Sequence, residues 1–171
     1  MTHDKLVNIA EQWLLRAKGC GFAFRELHAF TYNGEIPDAI GWRSGITILV
    51  ECKSSRSDFL SDSKKAFREH AWMGMGAFRF FMCPDGIIQK EDLPEKWGLV
   101  WVNKKGKAIQ KVGPRGNCEW SCASEFFHTE RNTQGESAMM VSALRRLHLR
   151  GLLQTIYDDP RKGIGHTEGK L

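Results

Sequence analysis

The chain has 171 residues, a net charge of +5 and a pI near 9.0, with 42% hydrophobic and 26% charged residues. That balance excludes a disordered chain and suits one domain with a substantial core. No apolar run approaches the ~20 residues of a membrane-spanning helix.

Five cysteines, an odd number, together with an N-terminus that lacks an apolar signal core, predict reduced thiols in a cytoplasmic protein. The positive excess favours a polyanionic partner if it is focused on one face.

Leu6, Ile9, Trp13 and Ala17 recur at helical spacing and predict a helix over 4–18, capped by Asp4. Residues 22–27 read as a strand, followed by a hairpin turn at Asn33-Gly34. A short strand over 36–42 opens with Pro37, and Arg43-Ser44-Gly45 turns it into a third strand over 46–53. The Ile, Leu and Val content of that third strand predicts a central position, buried on both faces. A helix over 59–72 is expected next, with Asp58 as its cap. Strands over 77–83 and 98–102 and an edge strand over 108–112 follow. Beyond Gly116, Met140, Leu144 and Leu147 mark a helical C-terminal extension. The expected division is a core over 1–116, an extension over 117–157 packed on it, and a flexible tail over 158–171. The fold class is α/β, a mixed central sheet flanked by helices.

The chemistry concentrates around the third strand. Residues i and i+2 of a strand share a face, so Glu51 and Lys53 project together while Cys52 points the other way. Antiparallel pairing through the turn near Ser44 brings Asp38 beside Glu51. Two converging carboxylates suit a hard cation such as Mg²⁺ or Mn²⁺, and the backbone carbonyl of Cys52 offers a third oxygen. Lys53 is placed to contact a scissile phosphate or the attacking water. Glu-x-Lys at a strand end also occurs as an ordinary surface ion pair.

Ile36-Pro37-Asp38 followed by Glu51-Cys52-Lys53 resembles the signature of the PD-(D/E)XK nuclease superfamily, whose fold is restriction-endonuclease-like. Cys52-Lys53-Ser54-Ser55 with Asp58-Phe59, and later Phe80-Phe81-Met82-Cys83-Pro84-Asp85-Gly86 with Trp97-Gly98-Leu99, are similar to its MmcB-like DNA-repair and phage-nuclease branch. The likeness spans roughly residues 5–112. It implies a metal-dependent endonuclease or related phosphodiester hydrolase acting on DNA, with RNA left open, in repair, recombination or phage DNA processing. Asp38, Glu51 and Lys53 would be catalytic, and Asp38, Glu51 and the Cys52 carbonyl would hold the metal. A further acid is expected from Glu11, Glu26 or Glu35, and a homodimer would suit cutting of two strands.

Ser54, Ser55, Arg56, Lys64, Lys65 and Arg68 are candidate nucleic-acid contacts, with ordinary turn chemistry or a solvated helix face as the alternative. Arg145, Arg146 and Arg150 form a second basic arc. Cys118, Cys122 and His128 fit a zinc site less well than they fit buried thiols and a packed histidine. Two other functions stay open: a catalytically silent nucleic-acid-binding module on the same fold, and a protein-interaction module.

Overall fold

The computed structural model describes residues 1–62, 70–116 and 124–158. Six strands form one sheet in the order β1 (Phe22–Arg25), β2 (Ala39–Arg43), β3 (Ile46–Cys52), β4 (Phe78–Pro84), β5 (Trp97–Val102) and β6 (Ala108–Val112). The pairs β1–β2, β2–β3 and β5–β6 are antiparallel, and β3–β4 and β4–β5 are parallel. The sheet is therefore mixed, as expected. Helices α1 (His3–Arg16), α2 (Arg56–Asp62) and α3 (Thr133–Leu149) flank it.

Strand β3 is buried at every position and lies in the interior of the sheet. Its alternating residues feed two cores. Ile46, Ile48, Val50 and Cys52 join Leu6, Ala10 and Leu14 of α1 on one face. Leu49 joins Phe59 of α2, Phe81, Trp97 and Met139 of α3 on the other. Seven residues of helix α2, Arg56–Asp62, lie among the described residues. Phe59 anchors it by packing edge-on against Phe81, ring centroids 5.1 Å apart. Burying such a ring contributes about 1.5–3 kcal/mol.

Several local expectations are corrected. Thr2 rather than Asp4 caps α1, its hydroxyl accepting from Lys5 N at 3.4 Å. Asn33-Gly34 is not a tight hairpin turn but part of a long β1–β2 connection. There the Asn33 carboxamide accepts from Glu35 N at 3.0 Å and donates to Met73 O at 2.5 Å. The helix expected over 59–72 begins earlier, at Arg56, and residues 71–73 form a separate 3₁₀ turn. In α3 the buried face is Gly135, Glu136 and Met139, whereas Leu144 is 48% exposed. Its dock is polar as well as apolar. The Glu136 carboxylate accepts from Thr47 Oγ1 of β3 at 2.7 Å and from Gly76 N at 2.8 Å. Arg131 Nε donates to the same oxygen at 3.1 Å. Among the described residues no helix is long and apolar enough to cross a membrane.

Candidate active site

The site gathers at the carboxyl end of β3, the end of parallel strands at which open α/β sheets place their ligands. Arg25 pairs with Ala39, and Ala39 pairs with Val50. One position further along, the same register sets Glu26, Asp38 and Glu51 in a row across three neighbouring strands. The row is tied by backbone: Glu26 N donates to Asp38 O at 3.1 Å. Glu26 adopts the left-handed conformation, φ 46°, as β1 ends. A further step would oppose Pro37 to Cys52, and proline brings no N–H for the Cys52 carbonyl to accept. The Cys52 N–H donates to the Asp38 carboxylate, Oδ2 accepting at 2.6 Å. A strand residue's N–H and C=O point to the same side, so the Cys52 carbonyl also faces the β2 edge where Asp38 sits.

Asp38 and Glu51 thus meet as expected. Burial, reinforced by the Glu51 charge, pushes the Asp38 carboxyl up to about 6, against the opposing pull of the Cys52 N–H. Cys52 points into the α1 core, and burial followed by the Asp38 and Glu51 charges holds its thiol well above the ordinary range. It is a packed thiol, not a nucleophile.

Lys53 lies where the spacing places it, with Nζ 3.7 Å from Glu51 Oε2. Its nearest partner is different: Asp62 Oδ1 at 3.0 Å, with Asp58 Oδ1 at 3.9 Å. Burial alone would depress this ammonium, yet Glu51, Asp62 and Asp58 outweigh it and raise its pKa above the ordinary lysine value. The side chains of Lys53, Glu51 and Asp62 are 5%, 4% and 2% exposed. One of the three Lys53 N–H donors is given to Asp62.

Sequence reasoning missed Asp62. The signal was present: Asp58 and Asp62 stand at i and i+4, one face of a helix beginning just after the lysine. It also misread Asp58, which sits inside the first turn, while the Ser55 hydroxyl accepts from Asp58 N at 3.2 Å and acts as the cap. Ser55 is therefore engaged in helix capping. Arg56 makes a two-pronged pair with Asp92, 2.6 Å from Nη2 to Oδ1, which holds the Asp92 carboxyl down at about 2. Ser54 is half-buried beside them. Lys64, Lys65 and Arg68 lie outside the described residues, as do Cys118 and Cys122. Of the proposed zinc set only His128 is described. It is buried and its backbone N–H bonds Ala77 O at 2.9 Å. Arg145, Arg146 and Arg150 are exposed, and Arg146 reaches the His28 carbonyl at 2.5 Å.

The three candidate additional acids separate. Glu26 joins the row. Glu11 faces Arg25 instead, Oε2 to Nε 3.7 Å. Glu35 turns away to accept from Met75 N at 2.7 Å and is 1% exposed, a brace for the 73–75 turn. The second residue that sequence reasoning missed is His3, whose Nε2 lies 3.3 Å from Glu26 Oε1 and 3.5 Å from Asp38 Oδ1. Nothing in local spacing couples the first turn of α1 to the ends of β1 and β2, so no sequence pattern signals it.

The donor set fits a divalent cation. Asp38 and Glu51 supply hard carboxylate oxygens, the Cys52 carbonyl lies toward the β2 edge, and the mutual repulsion of the two acids is what a cation would relieve.

No family model and no curated protein matches the chain. It is similar to the solved structure of a protein of unknown function from Silicibacter pomeroyi. The two share 23% identity over 98% of each chain, with a TM-score of 0.57. That likeness speaks for the α/β fold alone.

Proposed function

We propose that this protein is a metal-dependent nuclease that hydrolyses phosphodiester bonds, with DNA as its substrate. The observation that carries the reading is the convergence of Asp38 and Glu51 beside a buried lysine at the carboxyl end of β3. Asp38, Glu51 and the Cys52 carbonyl would hold Mg²⁺ or Mn²⁺, which when bound supplies an acidified water and neutralises charge building on the phosphate. The chain's own contribution is placement. The Cys52 N–H fixes the Asp38 carboxylate, and Lys53 holds Glu51 from the buried side. Asp62 keeps the lysine charged and oriented until a phosphate competes for it. The net charge of +5 is consistent with a polyanionic substrate.

The test is a cleavage panel of linear, nicked, branched and single-stranded DNA, with RNA as a further arm, in Mg²⁺ or Mn²⁺. Wild type and Glu51→Gln are compared. The expected result is metal-dependent cleavage reduced at least about 100-fold in the variant. Equal behaviour of both proteins on every substrate overturns the reading.

One observation favours a second reading, the silent nucleic-acid-binding module: the Lys53 ammonium is already engaged by Asp62. Salt-sensitive retention of DNA without cleavage in any metal would select it.

A further inference from the structure

The side chains of the site grade from sealed to open. Asp62, Glu51 and Lys53 are almost wholly covered, Asp38 is 18% exposed, and His3 and Glu26 are 38% and 52% exposed. The open end is thus the His3 side of Asp38. One ligand atom each from His3, Glu26 and Asp38 lies within 4.8 Å of the others.

Three separate elements deliver these atoms: the first residue of α1, the residue after β1 and the residue before β2. Two hydrogen bonds donated by backbone N–H groups lock the arrangement. Glu26 N binds Asp38 O, and Cys52 N takes Asp38 Oδ2, which leaves Oδ1 as the oxygen nearest His3. Ligands on one ion at bond lengths of ~2.1 Å stand about 3–4.2 Å apart, close to the 3.3 and 3.5 Å measured from the imidazole. As a plain surface ion pair the same groups would contribute little, about 0–1 kcal/mol.

An imidazole nitrogen shifts the preference of a carboxylate site. Mg²⁺ takes oxygen, whereas first-row transition ions accept nitrogen as well. We infer that His3, Glu26 and Asp38 form a nitrogen-containing metal position on the open side of the Asp38–Glu51 pair, sharing Asp38 with it and taking Mn²⁺ in preference to Mg²⁺. This rests on the reading of the Asp38–Glu51 pair as a metal centre, and it adds His3 as a ligand and a metal class to it.

Untagged protein is titrated with Mn²⁺ alone and in the presence of Mg²⁺, followed by electron paramagnetic resonance. Pulsed spectra report nitrogen coupled to the bound ion, and ¹⁵N-histidine labelling confirms its source. Wild type, His3→Gln, Glu26→Gln and Glu51→Gln are compared, with circular dichroism and melting curves to establish that each is folded. The expected result is Mn²⁺ binding at least about 10-fold tighter than Mg²⁺, with a nitrogen coupling. His3→Gln abolishes the coupling and weakens Mn²⁺ about 10–100-fold without altering the fold. Bound Mn²⁺ with no nitrogen coupling, unchanged affinity in His3→Gln, or no Mn²⁺ binding at all overturns the inference. Metal-dependent cleavage that is indifferent to His3→Gln would leave the nuclease reading standing while this one fails. Nitrogen-coupled Mn²⁺ with no cleavage of any nucleic acid would do the reverse.

Discussion

Glu136 and Asp38 are carboxylates held against the same sheet and treated in opposite ways. Glu136 is 5% exposed, and one of its oxygens accepts from a hydroxyl, a backbone N–H and a guanidinium. Asp38 has the Cys52 N–H as its close donor and another carboxylate as its neighbour. The first arrangement satisfies a buried charge locally and fastens α3 to β3. The second leaves repulsion in place, which a cation would relieve. A polar group surrounded by donors reads as a strut. One set beside a like charge on rigid strands reads as chemistry.

The largest effect that could break this comparison is in the strut. Glu136→Ala strands Thr47, Gly76 N–H and Arg131 together, with an expected cost of about 3–5 kcal/mol in denaturant unfolding. A cost below about 1 kcal/mol would mean that α3 is held by Met139 and its apolar neighbours instead.

His128 is a further case, a buried group kept neutral, its Nε2 without a hydrogen-bond partner among the described residues. Burial, then the Arg79 charge, depresses it to about 3 against an ordinary 6.5. The unfolded chain therefore takes up this proton first as pH falls. Stability should decline from about pH 6.5 down to about pH 3, by on the order of 2–4 kcal/mol. His128→Asn should flatten that limb of the melting-temperature profile; an unchanged limb would assign acid sensitivity elsewhere.

Asp38→Asn sharpens the comparison from the other side. The folded carboxyl, at about 6, holds its proton more tightly than the unfolded one, at 3.8. Its contribution is thus best below about pH 4 and is lost as pH rises through 6. In metal-free buffer the variant should be more stable than wild type above pH 6, by on the order of 1–3 kcal/mol, with no gain below pH 4. Divalent metal should stabilise wild type more than the variant, through binding to the folded state. Loss of stability at neutral pH on the same substitution would show that Asp38 is a strut after all.

The smallest effect is expected at Arg56. Its pair with Asp92 is exposed to screening, so Arg56→Ala should leave the melting temperature within error. A clear drop would show that this surface pair also fastens α2.

How much of this was legible follows from the range of each interaction. Strand β3, its central place and the meeting of Asp38 with Glu51 were readable because one short turn and a two-residue period decide them. Lys53 could be placed beside Glu51 by the same period. That Asp62 would hold it depended on where α2 begins, and Ser55 rather than Asp58 sets that start. His3 and the Thr47–Glu136 bond were not readable, since they join segments that periodicity treats as unrelated. Glu35 looked like a metal acid because it precedes Pro37, but the loop turns it back to Met75. In α3 the apolar spacing pointed to Leu144, while the residues that dock are a glycine, a glutamate and a methionine.

Two residues, Ser44 and Gly45, connect Arg43 to its partner Ile46, with Ser44 at φ 52°. That connector is the gauge from which the acidic row is measured. Lengthening it by one residue would slide β2 by one place and turn Asp38 toward the opposite surface, while the ladder itself could re-form. The meeting of Asp38 with Glu51 is therefore set by loop length at a point remote from the acids. An insertion mutant that folds normally yet binds no ion would display that separation.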